Sequence, residues 1–178
     1  MREKEWEAAH TVWIWIDRSP SMYFRSELGQ ARKIERAVVV GLALMDLLIR
    51  GGERVGLVGL MAPSAQRNAI ETAAQVVAHD PIGEDRLPTD VPFGRFSDFI
   101  VLGDLLEPLQ MLETAFTGIA GRQVHGHVVQ ILDPAEETFP FTGRTEIQDA
   151  AAGLTDMAGR AEAGRDANRA RMAERRRR

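Results

Sequence analysis

Cysteine is absent from the 178 residues, which excludes disulfides, thiolate zinc or iron–sulfur sites and a thiol nucleophile. Long apolar runs are missing too. None reaches the ~18 residues a membrane-spanning helix needs, and the opening MREKEWEAAH is charged, without the apolar core of a signal peptide. A soluble, cytoplasmic domain is therefore the expectation. Aromatic residues make up only 6%, and none is interleaved with the arginines in the way that favours binding of single-stranded nucleic acid. Two catalytic signatures are also lacking. Without G-x-x-x-x-G-K-[ST] the chain is no P-loop NTPase, and no G-x-S-x-G elbow occurs.

The remaining composition is that of an ordinary globular chain, 44% apolar and 27% charged, at a length that suits one domain. The net charge of −4 conceals an asymmetry: Arg160–Arg178 holds eight Arg against three acids, so the rest of the chain is strongly acidic. An acidic body with a basic tip does not read as a nucleic-acid platform, and Arg175–Arg178 reads as a solvated helix end.

Apolar runs alternate with helical patterns. Thr11–Ile16 (TVWIWI), Arg54–Leu60, Phe99–Leu102 (FIVL) and Val124–Leu132 are predicted strands. Ala31–Ile49 is predicted as a helix buried on most of its circumference, Ala65–Ala78 as a second beginning near Pro63-Ser64, and Pro108–Ile119 as a third. Gly56 and Gly59 are read as allowing a strand to pack closely on a helix. Asp80–Phe96 reads as a loop, Thr138–Ile147 as a hairpin or edge extension, and Ala150–Arg178 as a polar helix. Strands alternating with helices imply a parallel α/β sheet, whose ligands sit beyond the carboxyl ends of the strands. Three predicted strands run into an acid there: Asp17, Asp104 and Asp133.

Asp17-Arg18-Ser19-Pro20-Ser21 sets a carboxylate and two hydroxyls at alternate positions, and alternate residues of an extended loop project the same way. Converging hard oxygens suit Mg²⁺, which keeps several waters and takes few carboxylates; Asp104 is placed to complete the shell. A plain turn is the competing reading, since Asp, Ser and Pro are common turn residues.

VWIWIDRSPSM resembles the opening of a von Willebrand factor A-type domain, whose metal-ion-dependent adhesion site begins D-x-S-x-S. More closely, the chain resembles the bacterial domain of unknown function 58 family, a branch of that fold. WEAAHTVWIWIDRSPSM, KIERA, GGERVGLVGL, FIVLGDLLEP, ILDPAEETFPFTG and IQD carry the resemblance in the family's order, across most of Trp6–Gly153. It implies a von Willebrand factor A-like (Rossmann-like) α/β fold, a mainly parallel sheet flanked by helices. It implies metal ligands at Asp17, Ser19, Ser21 and Asp104, with Thr89 of the Thr89-Asp90 pair as the third-loop ligand, for Mg²⁺ or alternatively Mn²⁺ or Ca²⁺. Gly103 stands where the family often has Ser. The resemblance further implies a protein-interaction module, with an acidic side chain of a partner as metal ligand and a MoxR-type AAA+ ATPase as partner in complex assembly or maturation.

The expected domain covers residues 4–156, followed by a polar Arg-rich helical tail over 157–178. Because Leu154–Arg178 contains no Val, Ile, Phe, Trp or Tyr, the final strand of such a sheet is expected to be missing, with an open edge that favours self-association. A structural domain with a degenerate, metal-free site is the alternative. A metal-dependent hydrolase comes third: the phosphatases that open on an apolar strand and Asp need a second Asp where Ser19 stands. His125 and His127 lack a third ligand for zinc. Lys33 and Glu35 read as first-turn helix charges, and Asp133-Pro134 with Glu136-Glu137 as a strand-to-turn transition rather than a catalytic acid pair.

Overall fold

The computed structural model describes residues 10–79, 87–88, 91–94, 97–122, 124–138, 140, 145–148 and 155–158. The centre of the molecule is β1 (Thr11–Ile16), an alternation of Val, Ile and Trp that is buried on both faces. It pairs in parallel with β2 (Arg54–Leu57) on one side and β4 (Ser97–Gly103) on the other, with Ile14 opposite Leu57 and Ile100. β5 (His125–Gln130) extends the parallel sheet beyond β4. β3 (Met61–Ser64) closes the other side antiparallel to β2, giving the order β3-β2-β1-β4-β5. The architecture is α/β, a mainly parallel sheet flanked by helices, and it is consistent with a Rossmann-like von Willebrand A arrangement.

Each face of the sheet has its own core. Val12, Ile14 and Ile16 pack with Val55, Leu57, Ile100 and Leu102 under α1 (Lys33–Arg50) and α2 (Ala69–His79). Trp13 and Trp15 lie on the opposite face with Phe99 and Val101, under Ala115 and Ile119 of α3 (Leu109–Ala120). The period-2 alternation of β1 thus supplies both cores. Burial of one such large side chain contributes about 1.5–3 kcal/mol.

Several expectations need correction. α1 buries a stripe through Ile34, Ala37, Gly41, Met45 and Ile49, while Val39 and Leu47 remain 64% and 67% exposed, so it is not buried on most of its circumference. The predicted strand Arg54–Leu60 ends at Leu57; a turn through Gly59 (φ 75°) leads into β3, where a helix start was expected at Pro63-Ser64. Gly56 serves sheet packing rather than a helix. A Cβ there would lie 2.9 Å from the Trp13 ring and 3.0 Å from Pro63. β5 stops at Gln130, and Pro134–Thr138 forms a short helix, α4. The C-terminal region is also not helical throughout: β6 (Thr145–Gln148) and β7 (Thr155–Ala158) pair antiparallel.

Along the sheet the chain leaves β1 for β2 on one side and later enters β4 on the other. The carboxyl ends of β1 and β4 are therefore the point where strand order reverses, the place where open α/β sheets bind ligands.

Candidate functional site

Asp17 is the first residue past β1, and its N–H donates to the Leu102 carbonyl at 2.8 Å, continuing the ladder into the loop. The chain then turns through one 3-10 turn over Pro20–Tyr23. That turn folds the D-x-S-x-S segment back on itself: Ser19 N–H donates to Asp17 Oδ1 at 2.8 Å, and the Ser19 and Ser21 hydroxyls are 3.0 Å apart. Ser21 Oγ donates to Asp104 Oδ2 at 2.7 Å across the strand ends. The structure therefore brings Asp17, Ser19, Ser21 and Asp104 into one hydrogen-bonded cluster. Thr89 lies outside the described residues.

Asp104 is fixed on every side. Its Oδ1 accepts from Leu106 N–H at 3.1 Å and its carbonyl from Gln130 Nε2 at 3.0 Å. The next residue, Leu105, has φ 54°, a conformation sparsely populated by residues other than glycine. These bonds hold the backbone there as it leaves the sheet.

Asp17 is buried and only half satisfied, because Oδ2 has no hydrogen-bond partner. Burial pushes its pKa up to about 6, with the charges of Asp104 and Glu107 adding to the shift and the hydrogen bonds from Ser19 opposing it. Gly103 explains part of this geometry. A Cβ at that position would stand 2.8 Å from Asp17 Cβ, so the departure from Ser lets the carboxylate lie against the β4 backbone. Gly103→Ala is expected to cost about 1–3 kcal/mol through overpacking. Urea unfolding checks this, and a variant as stable as the wild type would show that the contact is easily relieved.

One group of the site was not legible as such in the sequence. Lys33, the first residue of α1, is buried; its Nζ donates to Asp104 Oδ2 at 2.8 Å and to Glu136 Oε1 at 2.6 Å. It is far more than a first-turn helix charge. The available signal was its position, since a cation at a helix N-terminus opposes the helix dipole and needs a reason to be there. Asp133, already marked as a strand-end acid, ties loops together. It accepts from the N–H and hydroxyl of Ser26 and from Ala135 N–H, tying the loop after β1 to α4. Burial raises its pKa, but those bonds and the Lys33 charge outweigh burial and hold it below the usual carboxylate range. Glu136 Oε2 in turn accepts from Asp133 N–H. His125 is exposed at the start of β5 near Asp98, at the opposite end of the strands from this cluster.

A family model described as "Protein of unknown function DUF58" matches residues 1–178, the whole chain. The chain belongs to the DUF58 family. A solved structure similar to this DUF58 domain is that of an aerotolerance-related membrane protein from Bacteroides fragilis NCTC 9343 with multiple mutations to serines. The identity is 15% and the TM-score 0.50, over 91% of this chain and 87% of that one, a likeness of fold. No curated protein matches the chain. Among the described residues of the DUF58 domain, no helix is long and apolar enough to cross a membrane.

Whether these residues suit a divalent ion turns on the donor set. Among the described residues no three His, Asp or Glu side chains are grouped to hold one, so an ion here depends on serine hydroxyls and water as well as carboxylate. The unpartnered, buried Asp17 Oδ2, in the same loop as the Ser19 and Ser21 hydroxyls, fits that requirement. Asp104 fits it only in part, because Lys33 already holds its Oδ2.

Proposed function

We propose that this DUF58 domain is a metal-dependent protein-interaction module whose docking point is the carboxyl edge of β1 and β4. The observation that carries the reading is Asp17 Oδ2, a desolvated carboxylate oxygen without a hydrogen-bond partner, on the residue whose other oxygen is bonded to Ser19 N–H. A buried oxygen left so costs about 1–3 kcal/mol, more when charged, and a cation at the site offsets that cost. Asp17, Ser19 and Ser21, with Asp104 completing the shell, would hold Mg²⁺, with Mn²⁺ or Ca²⁺ as substitutes, and a bound ion would supply an open position for an acidic side chain of a partner. Asp104 keeps the Ser21 hydroxyl oriented toward the cluster.

Binding rather than turnover is proposed. Ser21 donates to a carboxylate that also accepts from an ammonium, an arrangement that does not activate a nucleophile. The family resemblance supports a MoxR-type AAA+ ATPase as partner, and a cytoplasmic site of action is proposed with it. A metal-free structural role is the second reading, favoured by the Lys33 ammonium already at Asp104.

Titrating Mg²⁺ or Mn²⁺ into chelator-treated protein while following thermal unfolding tests the proposal. At an ion concentration a hundred times Kd, the stabilisation is about 2.7 kcal/mol, and Asp17→Ala is expected to abolish it. A midpoint unmoved by either ion would leave the metal-free reading.

A further inference from the structure

Lys33 is 2% exposed and bonded on both sides, to Asp104 at 2.8 Å and Glu136 at 2.6 Å, with its ammonium 5.9 Å from the centroid of the Phe24 ring. A lysine is retained in such a place only when paired. Its two partners differ. Asp104 Oδ2 is also the acceptor of Ser21, inside the cluster of candidate metal ligands. Glu136 sits on α4, where the Asp133 backbone holds its other oxygen.

We propose that Lys33 is a built-in competitor of the divalent ion: it bridges Asp104 and Glu136 when the site is metal-free and is kept by Glu136 when Asp104 turns to the ion. This rests on the reading of the strand edge as a metal site and adds how occupancy of that site is controlled. The ammonium supplies the positive charge that Asp104 otherwise lacks, so the metal-free domain stays folded and its affinity for the ion is held down. An ion reaching Asp104 meets a like charge on the same oxygen. Glu136 sets the outcome because it already bonds the ammonium and retains it once Asp104 is withdrawn. Through Asp133, that carboxylate is fastened to Ser26 of the loop following the serine ligands, so metal and loop are coupled by Lys33.

The test is direct Mn²⁺ binding to chelator-treated full-length chain, read by the paramagnetic resonance of free Mn²⁺, with near-ultraviolet circular dichroism confirming that each variant is folded. Lys33→Gln, and Lys33→Met to preserve packing of the stem, are expected to bind Mn²⁺ at least tenfold more tightly than wild type. Glu136→Gln, which leaves Asp104 as the one carboxylate bonded to Lys33, is expected to bind it several-fold more weakly. Opposite shifts in two folded proteins are not produced by general loosening. Lysine variants no tighter than a metal-binding wild type would overturn the role of Lys33 and leave the metal reading standing. Tight binding by the lysine variants with none by wild type would uphold Lys33 and overturn metal dependence of the native chain. Silence from all of them overturns both. Should neither lysine variant fold, unchanged or tighter binding by Glu136→Gln is sufficient to overturn the proposal.

Discussion

Replacing Asp17 by Asn is expected to stabilise the metal-free domain at pH 7.5 by about 1–3 kcal/mol, although the residue heads the candidate site. Burial raises the Asp17 pKa from 3.8 to about 6, with Asp104 and Glu107 adding to the shift. The folded state therefore holds this proton more tightly than the unfolded chain. The contribution of Asp17 to stability is full below about pH 4, falls as pH rises to about 6, and is lost above that. A displacement of about two units corresponds to about 3 kcal/mol, since one unit is about 1.4 kcal/mol. Asn removes the charge and keeps the acceptor for Ser19 N–H, while its new Nδ2 donor, lacking an acceptor, takes back part of the gain. Urea unfolding in chelator at pH 4 and pH 7.5 measures it. The advantage of Asn should be absent at the lower pH, present at the higher, and narrowed there by Mg²⁺. A gain independent of pH would mean that packing, not the buried charge, is responsible. Asp133 carries the opposite sign: its lowered pKa gives stability above about pH 4 that is lost as pH falls further.

The parts of this site that could be read in the sequence are those where one local rule suffices. TVWIWI and FIVL are too apolar and too rich in Val, Ile and aromatic residues to be anything but buried strands, and each runs into an acid. Parallel pairing then puts Asp17 and Asp104 at the same edge. Weak local signals concealed the rest. β3 has four residues with Pro63 among them, a composition that argues against a strand except at a sheet edge, which is where β3 lies. β7 is TDMA, poor in β-formers, and its pairing with β6 overrides the helix preference of its Ala-rich surroundings. Lys33, Asp104 and Glu136 are separated by 71 and 103 residues measured from the lysine. No spacing rule reaches that far. Only the fold, by bringing the first turn of α1 against the ends of β4 and α4, makes them one cluster.

That cluster gives the largest loss expected. Asp104→Asn leaves the buried Lys33 facing a neutral amide, with Glu136, 17% exposed, as its remaining carboxylate. Neither orientation of the amide reproduces the native bonds. With Nδ2 toward the cluster, it confronts the Lys33 and Ser21 donors; turned the other way, it confronts Leu106 N–H. Breaking a buried pair in this manner costs about 3–5 kcal/mol, a large share of the 5–15 kcal/mol typical of a whole domain. Lys33→Met alone should cost less, because Asp104 retains Ser21 and Leu106 as donors. The double variant is the informative one. With the ammonium gone, the amide can direct its oxygen to Leu106 N–H and its Nδ2 to the Ser21 oxygen, so the double variant should be more stable than Asp104→Asn by about 1–2 kcal/mol despite carrying a second core substitution. Equilibrium unfolding of the four proteins in chelator closes the cycle. Losses that simply add would mean that Lys33 and Asp104 are neighbours without being partners, and that Glu136 alone accounts for the buried lysine.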